Sequence, residues 1–294
     1  MTDSLTIVSP AKINLGLKVF PKRDDGYHSI SSIFTTVDLY DELQVSLVKE
    51  KNVCQVECKG MELPPENTFT AAYKAFCVLT GIQDGVSVKV TKNIPAGGGL
   101  GGGSSNASSF IQSIDFLFNT NLKASQMHDI AGQVGSDVFF FTSALWHNKH
   151  HESDSSRFAA LVKGRGEIIS PIKARNDFAV VLVFPGVGVS TKRAYSLIDE
   201  WYEKGALTND AEETSLEHIY NSGIKEWSFE NTFTKPVVSS YPEIGLALND
   251  LRNAGADFAD MSGSGSTVFG IFADKKDALK ASERLSEKWK TVLA

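Results

Sequence analysis

A run of glycines is the part of this 294-residue sequence whose composition points most directly to chemistry. From Gly97 to Gly103 every residue except Leu100 is glycine, and Ser104 and Ser105 follow. Glycine adopts positive φ freely and lets another group approach the backbone amides closely, at an entropic cost that a packed element would not carry. The composition is therefore typical of a loop that binds an anion, and phosphate is the usual one.

The residues after the glycines predict a helix that begins at about Ser104. Apolar side chains recur there at helical spacing, namely Phe110, Ile111, Ile114, Leu117 and Phe118. The first N–H groups of a helix lack intrahelical partners and carry the positive end of the helix dipole. Loop and helix together predict a phosphate site, to which Ser104 and Ser105 can add hydroxyl donors or a metal contact.

Other glycine-rich motifs fit this segment less well. A P-loop needs a lysine after its last glycine, whereas Ser104 follows Gly103 directly. A dinucleotide-binding fingerprint can be placed on Gly97, Gly99 and Gly102, but the sequence before it interrupts the strand and no acidic residue follows at about 20 positions. A protein-kinase loop would require His-Arg-Asp and Asp-Phe-Gly, which are absent. A flexible linker would not be flanked so tightly by a strand and an amphipathic helix.

A strand predicted over residues 5–20 carries the second candidate group. Its apolar residues share one face, which places Lys12 and Asn14 together on the other face. Periodicity alone leaves open a solvated Lys12 on the outer face of a half-exposed sheet. After this strand, Asp24-Asp25-Gly26 predicts a turn with the rings of Tyr27 and His28 at its exit.

An isolated carboxylate is the third candidate. Asp137 follows Gly135-Ser136 and precedes the apolar run 138–141, so it lies at the edge of hydrophobic structure. By itself this position is compatible with a helix N-cap.

The remaining elements indicate an α+β protein. Asn67 and Thr68 would cap a helix that closes at Gly81. Further predicted elements are a helix over 124–134, a strand over 178–184, a helix over 191–205, a helix over 242–253, a strand over 258–261, a strand over 267–272 and a helix over 275–290. This β-α-β-β-α order suits a ferredoxin-like half.

The length of the chain favours two domains, and its composition is typical of a cytoplasmic protein. The chain is 42% hydrophobic and its formal net charge is −6, which argues against a nucleic-acid-binding protein. It has no apolar stretch of about 18 residues and no signal-like N-terminus, so no membrane association is expected. The cysteines are Cys54, Cys58 and Cys77, without a CxxC pair, and they predict reduced thiols in the core.

The segment from Pro95 to Ala107 closely resembles the central motif of the GHMP small-molecule kinases. This resemblance implies that the loop wraps the phosphates of ATP. The ATP-binding residues that it implies are Pro95, Ala96, Gly97, Gly98, Gly99, Leu100, Gly101, Gly102, Gly103, Ser104, Ser105 and Asn106, with Asn67 near the adenine. Mg²⁺ would arrive with ATP; no protein ligand is assigned to it beyond a contact from Ser104.

Two further segments resemble one branch of this family, the 4-diphosphocytidyl-2-C-methyl-D-erythritol kinases. They are Pro10–Leu15 and Arg23–Ile30, the second similar to the branch signature R-x-D-G-Y-H with one extra aspartate. The resemblance implies that Gly135-Ser136-Asp137-Val138 supplies the catalytic base Asp137, facing Lys12 across the phosphate loop. The substrate-binding residues that it implies are Asn14, Tyr27, His28, Thr191 and Tyr195, with His28 and Tyr195 sandwiching the cytosine.

A second glycine turn, Ser262–Ser266, resembles the third GHMP motif, which steadies the phosphate loop. The chain departs from the family at Phe139, where proline is usual, and at Thr232, where aspartate follows Phe-Glu-Asn. It also carries an apparent insertion at about 146–157 with His147, His150 and His151. We expect a polar surface loop there rather than a metal site.

The resemblance implies a two-domain GHMP kinase fold. The N-terminal domain, 1–155, would be ribosomal protein S5 domain 2-like and bind ATP, and the C-terminal domain, 156–294, would be ferredoxin-like and bind substrate. The implied reaction is ATP-dependent phosphorylation of the C2 hydroxyl of 4-diphosphocytidyl-2-C-methyl-D-erythritol by a monomer or weak homodimer. Alternatives are another GHMP kinase, of homoserine or mevalonate type, and a non-catalytic ligand-binding member of the fold.

Overall fold

Strands β1 (Ser4–Lys22) and β2 (His28–Lys51) each contribute residues to two structural units. The computed structural model describes residues 3–150, 157–207 and 215–294. Of these, residues 3–11, 39–96 and 101–150 form the first unit, and residues 12–38, 97–100, 157–207 and 215–294 form the second. The units alternate along the chain, and the linear domain boundary after residue 155 stays a prediction.

The first unit combines four helices with a small group of strands. Its further elements are β3 (Cys54–Cys58), α1 (Thr68–Thr80), β4 (Asp84–Thr91), α2 (Gly102–Leu117), α3 (Ala124–Val134) and α4 (Ser136–His150). Strand β4 pairs antiparallel with the second part of β2 and parallel with β3. The apolar residues that predicted α2, Phe110, Ile111 and Ile114, are fully buried in the core of this unit.

Helix ends in the first unit follow the capping signals of the sequence. Asn67 caps α1, since its side chain accepts hydrogen bonds from the N–H groups of Phe69 and Thr70, and Gly81 closes the helix at φ 75°. Helix α3 has the predicted bounds. Helix α2 begins two residues before the predicted Ser104, because Gly102 and Gly103 already adopt helical conformation.

Helix α4 extends into the apparent insertion, so the prediction for the first residues of that insertion is wrong. Residues 146–150 were expected in a polar surface loop, but they continue α4. The reason is Trp146, whose partly buried side chain packs against the core of the first unit. Residues 151–156, including His151, lie outside the described residues.

The thiols of the first unit match the prediction of reduced core cysteines. Cys54, Cys58 and Cys77 are free, and each is partly buried against the core. Burial, with a smaller contribution from Cys77, raises the pKa of the Cys54 thiol to about 12. This cysteine is therefore a packing residue rather than a nucleophile.

The second unit contains an antiparallel four-stranded sheet in the order β10-β7-β9-β8. Its elements after β2 are β5 (Ala159–Gly164), β6 (Ile168–Ile172), β7 (Ala179–Phe184), α5 (Thr191–Glu203), α6 (Leu216–Asn221), α7 (Thr234–Ser240), α8 (Pro242–Asn253), β8 (Phe258–Met261), β9 (Val268–Phe272), α9 (Lys275–Ser286) and β10 (Lys290–Leu293). The predicted strands and helices are all present in the order β7-α5-α8-β8-β9-α9, with α6 and α7 as further helices between α5 and α8. Helix α9 ends before the predicted Lys290, because the last residues pair with β7 as an additional strand.

A buried carboxylate anchors the chain at the entrance to the glycine loop. Asp41 is fully buried and accepts hydrogen bonds from the N–H groups of Asn93 (2.7 Å) and Ile94 (2.8 Å). The ammonium group of Lys92 and the side-chain amide of Asn106 also donate to Asp41. Four donors thus compensate the buried charge, and they tie the strand before the loop to the helix after it.

We predict that Asp41→Ala lowers the free energy of unfolding by about 3–5 kcal/mol, because it removes the carboxylate partner of the partly buried Lys92 ammonium group and the acceptor of two backbone N–H groups. Urea denaturation measures the change. Glu57→Ala is the matched control: Glu57 pairs with Lys89 on the surface, and its loss should change the stability by less than about 1 kcal/mol. Equal effects of the two substitutions would contradict the anchoring role.

A second buried carboxylate lies at the end of β8. Asp260 is 6% exposed, and its Oδ1 accepts hydrogen bonds from the Thr234 hydroxyl (2.6 Å) and the Met261 N–H (2.7 Å). Desolvation outweighs these bonds and raises the pKa of the Asp260 carboxyl to about 6. Between about pH 4 and pH 6 the folded state therefore holds a proton that the unfolded state has lost.

Because the folded-state pKa of Asp260 is raised, its contribution to stability is present at low pH and is lost as the pH rises through about 6. We expect a loss of roughly 3 kcal/mol over this range, at about 1.4 kcal/mol per pKa unit. Asp260→Asn should remove this part of the pH dependence, as measured by urea denaturation from pH 4 to pH 7. The exposed Glu283→Gln is the control. A wild-type pH profile in Asp260→Asn would show that this carboxyl does not titrate in that range.

Candidate active site

The glycine loop alternates in backbone conformation. Gly97, Gly99 and Gly101 have φ values of 68°, 77° and 70°, in the left-handed region that other residues rarely adopt. Gly101 is the N-cap of α2 and provides no side-chain hydrogen bond to the first turn. The N–H groups of this turn thus lack a side-chain cap, which is the arrangement that binds phosphate at helix N-termini.

The serines of the α2 first turn differ in burial. Ser104 is partly exposed, whereas Ser105 is fully buried. Among the described residues, the Ser105 hydroxyl is one of the few buried polar groups without a hydrogen-bond partner. Ser104 is thus the better placed of the two to reach a ligand.

The side chains of two residues predicted to bind ATP form hydrogen bonds with other residues of the protein. Asn106 is 2% exposed; it donates to Asp41 and accepts from Lys92. Asn67 caps α1, and its Nδ2 donates to the Pro64 carbonyl. Asp41 and Lys92, which complete the Asn106 cluster, were missed by the sequence analysis, because nothing in the sequence pairs two charged residues that lie 51 positions apart.

Lys12 and Asn14 lie side by side on β1, as the period of the strand predicted. Both are buried, at 3% and 2% exposure. The Lys12 ammonium group donates to Asn14 Oδ1 (2.6 Å) and to the carbonyl of Gly99 (2.8 Å), and it lies 4.9 Å from the ring centre of Phe34. The alternative of a solvated Lys12 is therefore wrong.

The second glycine turn contacts the glycine loop, as expected. The Ser262 hydroxyl donates to the carbonyl of Gly99 (2.9 Å), and the N–H of Thr267 donates to the carbonyl of Gly98 (3.2 Å). A Cβ atom on Gly99 would lie 2.0 Å from the Ser262 carbonyl oxygen, so no larger residue fits there. Thr191 lies at the same turn, with its hydroxyl 3.4 Å from that of Ser264.

The rings predicted to bind the base form a cluster of their own. His28 is buried; its Nδ1–H donates to the carbonyl of Phe20 (2.7 Å), and its Nε2 lies 3.3 Å from Asp199. The ring centres of His28 and Tyr195 are 4.9 Å apart. At that separation the rings contact each other, so the predicted sandwich with a base between them does not fit this structure. Tyr27, by contrast, is 57% exposed.

Asp137 lies in the first turn of α4 and is partly exposed. It follows Ser136 and is not the N-cap, which was the alternative explanation for a carboxylate here. It belongs to the first unit, whereas Lys12 belongs to the second. The predicted arrangement of the two side chains across the loop stays a prediction.

The part of the chain that the structure describes contains neither a metal-ligand cluster nor a membrane-spanning helix. No cluster of three or more His, Cys, Asp and Glu side chains there could hold a metal ion. The side chain of His150 and all of His151 lie outside that part, so the histidine trio stays untested. None of the described helices is long and apolar enough to cross a membrane.

Comparisons with known families match two separate parts of the chain. The sequence model of the GHMP kinases N terminal domain matches residues 67–144, and that of the GHMP kinases C terminal domain matches residues 219–291. The first match contains the glycine loop and Asp137, and the second contains the turn at Ser262.

Relatives that match nearly the whole chain indicate one branch of this family. A 4-diphosphocytidyl-2-C-methyl-D-erythritol kinase of Treponema pallidum is 38% identical over 98% of this chain and 96% of its own. A crystal structure of 4-(cytidine 5'-diphospho)-2C-methyl-D-erythritol kinase superposes with a TM-score of 0.79 at 27% identity, covering 98% of both chains. Homoserine kinase from Cytophaga hutchinsonii has a TM-score of 0.66 at 18% identity over 100% of this chain and 94% of its own, and shares the fold alone. The chain belongs to the GHMP kinase family, in the branch of the 4-diphosphocytidyl-2-C-methyl-D-erythritol kinases.

Proposed function

We propose that this protein transfers the γ-phosphoryl group of ATP to the C2 hydroxyl of 4-diphosphocytidyl-2-C-methyl-D-erythritol. The product is the 2-phosphate, an intermediate of non-mevalonate isoprenoid precursor synthesis. The observation that carries this proposal is 38% identity, over nearly the whole chain, to a kinase named for this alcohol. Cytoplasmic location and a monomer or weak homodimer are part of the proposal, and the free thiols suit a reducing compartment.

The triphosphate would bind to the backbone amides of the glycine loop and the first turn of α2. Phosphoryl transfer depends on positioning and on stabilising charge more than on covalent chemistry, and fixed N–H donors provide both. Mg²⁺, when bound with ATP, would neutralise charge on the phosphate oxygens. The residues present fit such an ion, since Mg²⁺ commonly takes only one or two protein ligands beside phosphates and water. The partly exposed hydroxyl of Ser104 is suited to this contact.

Asp137 would accept the proton of the C2 hydroxyl as that oxygen attacks the γ-phosphorus. An alcohol is a poor nucleophile near neutral pH, and a carboxylate within hydrogen-bond reach is a suitable general base. Lys12 would stabilise the charge on the transferred group. Its contact with the Gly99 carbonyl supports this role, because it holds the ammonium group at the loop itself.

The cytidine end of the substrate would bind at the ring cluster of the second unit. His28 has both ring nitrogens directed at Phe20 and Asp199, so it would offer the base an aromatic face rather than a nitrogen. The exposed ring of Tyr27 would supply a second face. Asn14, Thr191 and Tyr195 complete the proposed substrate contacts.

Other members of the fold remain the rival functions. A kinase of homoserine or mevalonate type would use the same loop without needing the cytidine group. A non-catalytic ligand-binding member would not need Lys12 and Asp137. The cytidine requirement and the carboxylate of Asp137 therefore discriminate among the three.

For the catalytic base, we expect Asp137→Asn to lower kcat by roughly 10²–10⁴-fold, the usual contribution of general base catalysis. The KM for ATP should stay within about twofold, since the phosphate site does not include this side chain. Steady-state kinetics with purified protein measures both. Asp129→Asn, an exposed position on the neighbouring helix α3, is the matched control. Near-wild-type turnover of Asp137→Asn would exclude the base assignment.

For substrate identity, we expect turnover with the cytidine diphosphate alcohol and none with homoserine or mevalonate. His28→Ala should raise the KM for this alcohol by about tenfold or more, the value of one aromatic stacking contact with a base, while the KM for ATP stays unchanged. The control is His128→Ala, since His128 is an exposed histidine that also contacts a ring, that of Phe139. Turnover of homoserine or mevalonate in place of the cytidine alcohol would refute the proposal.

A further inference from the structure

Asn231 is a buried amide whose hydrogen bonds are all made inside the second unit. It is 5% exposed and lies between α6 and α7. Its Nδ2 donates to the carbonyls of Met261 and Gly263, both at 2.8 Å, and its Oδ1 accepts from the N–H of Phe233 (2.9 Å). Both amide hydrogens and the carbonyl oxygen are thus used, so the side chain has one fixed orientation.

The two carbonyls that Asn231 holds flank Ser262, the residue that contacts the glycine loop. Gly263 has φ 57°, so the turn reverses the chain directly after Ser262. The Ser262 hydroxyl then reaches the Gly99 carbonyl, and the N–H of Thr267 reaches the Gly98 carbonyl. On the Ser262 path, Asn231 is therefore one residue removed from the loop, whereas on the Thr267 path residues 264–266 of the turn also intervene.

These contacts set the direction of two successive peptide groups in the loop. A trans peptide is planar, with its C=O and N–H pointing in opposite directions. With the Gly98 carbonyl held by Thr267, the N–H of Gly99 points away from the turn. With the Gly99 carbonyl held by Ser262 and Lys12, the N–H of Leu100 does the same. The orientation of both N–H donors thus depends on the turn.

The segment that carries Asn231 is itself fixed to β1. The N–H of Leu17 donates to the carbonyl of Glu230 (2.9 Å), and the N–H of Thr232 donates to the carbonyl of Leu17 (2.8 Å). The Thr232 hydroxyl accepts from the N–H of Val19 (3.1 Å). Strand β1 also carries Lys12, so one rigid element supports both groups of donors that act on the Gly99 carbonyl.

We propose that Asn231 is a positioning residue for phosphoryl transfer: through the turn 261–267, it holds the Gly98 and Gly99 carbonyls so that the loop amides face the triphosphate of ATP. It touches neither ATP nor the alcohol. The proposal rests on the kinase function proposed above. It assigns to the Phe229-Glu230-Asn231 segment a role in the nucleotide site rather than in the substrate site.

Asn231→Ala and Ser262→Ala test the proposal by kinetics and by binding. In Asn231→Ala, kcat/KM for ATP should fall by about 10–100-fold, the cost of a small misplacement of catalytic groups, while the KM for the alcohol stays within about twofold. The double variant should lose no more than about threefold beyond Ser262→Ala, because both side chains act on the same peptide groups. Additive losses would overturn the proposal.

Two controls separate positioning from loss of stability. Asn253→Ala removes an exposed amide at the end of α8 and should change no kinetic constant. Val237→Ala creates a cavity in the same unit, in α7 and outside the turn 261–267, and should lower the melting temperature without changing the KM for ATP. If Asn231→Ala, like Val237→Ala, lowered the melting temperature and left the KM for ATP unchanged, the proposal would be overturned.

Calorimetric titration with a non-hydrolysable ATP analogue makes the test independent of the alcohol. Its Kd should rise about tenfold in Asn231→Ala and in Ser262→Ala even if the wild-type protein phosphorylates a different alcohol, which would count only against the proposed substrate. If Asn231→Ala does not fold, the Kd and the KM for ATP of Ser262→Ala test the proposal instead. An unchanged Kd and an unchanged KM for ATP in that variant would overturn the positioning role.

Discussion

The carbonyl oxygen of Gly99 is the point at which the second unit holds its own part of the glycine loop, residues 97–100. It accepts hydrogen bonds from the Lys12 ammonium group and the Ser262 hydroxyl, which come from β1 and from the turn after β8. A loop made almost entirely of glycine has no side chains with which to fix itself, and its backbone entropy is high. Donors from outside the loop must therefore hold it, and they can do so only where the backbone approaches closely.

The first unit meets the same requirement in a different way. There, one fully buried carboxylate, Asp41, receives donors from the strand end before the loop and from Asn106 in α2. A buried charge is costly unless it is fully hydrogen-bonded, so this anchor tolerates little change in the position of its partners. The Asp41 anchor acts on segments beside the glycines, and the Gly99 anchor acts on a carbonyl oxygen, so neither of these contacts uses an N–H group of the glycines.

Local patterns predicted much of this fold because local physics determines those parts. Capping residues such as Asn67 and Gly81 act within one helical turn. Apolar spacing predicted the bounds of α3, and the proline at its start and the glycine near its end predicted those of α8. The alternation along β1 placed Lys12 and Asn14 on one face. The strand β10, by contrast, depends on pairing with the distant edge of β7, and the Asp41 cluster joins residues about 50 positions apart. Nothing in a local window of sequence specifies such partners.

The same distinction applies to the geometry of the predicted site residues. Motifs located the loop, the lysine and the turn, whereas the internal use of Asn106 and the direct contact of His28 with Tyr195 depend on side-chain packing. Sequence resemblance identifies the positions of a motif but not the hydrogen-bond partner of each side chain. A buried side chain can bind another residue of the protein instead of the ligand. The side-chain contacts in the glycine-loop segment are therefore known from the structure and not from the motif.

The two departures from the family pattern have structural explanations. Thr232 replaces an aspartate, yet its hydroxyl accepts the hydrogen bond of the Val19 N–H, and a hydroxyl oxygen fills that acceptor position without adding a charge. Phe139 replaces a proline within the first turn of α4, where a missing N–H costs little. Its ring packs on His128 of α3, and Gly132 leaves room for it, since a Cβ atom there would lie 3.1 Å from the ring. Both substitutions keep the local backbone in place, so neither argues against phosphoryl transfer.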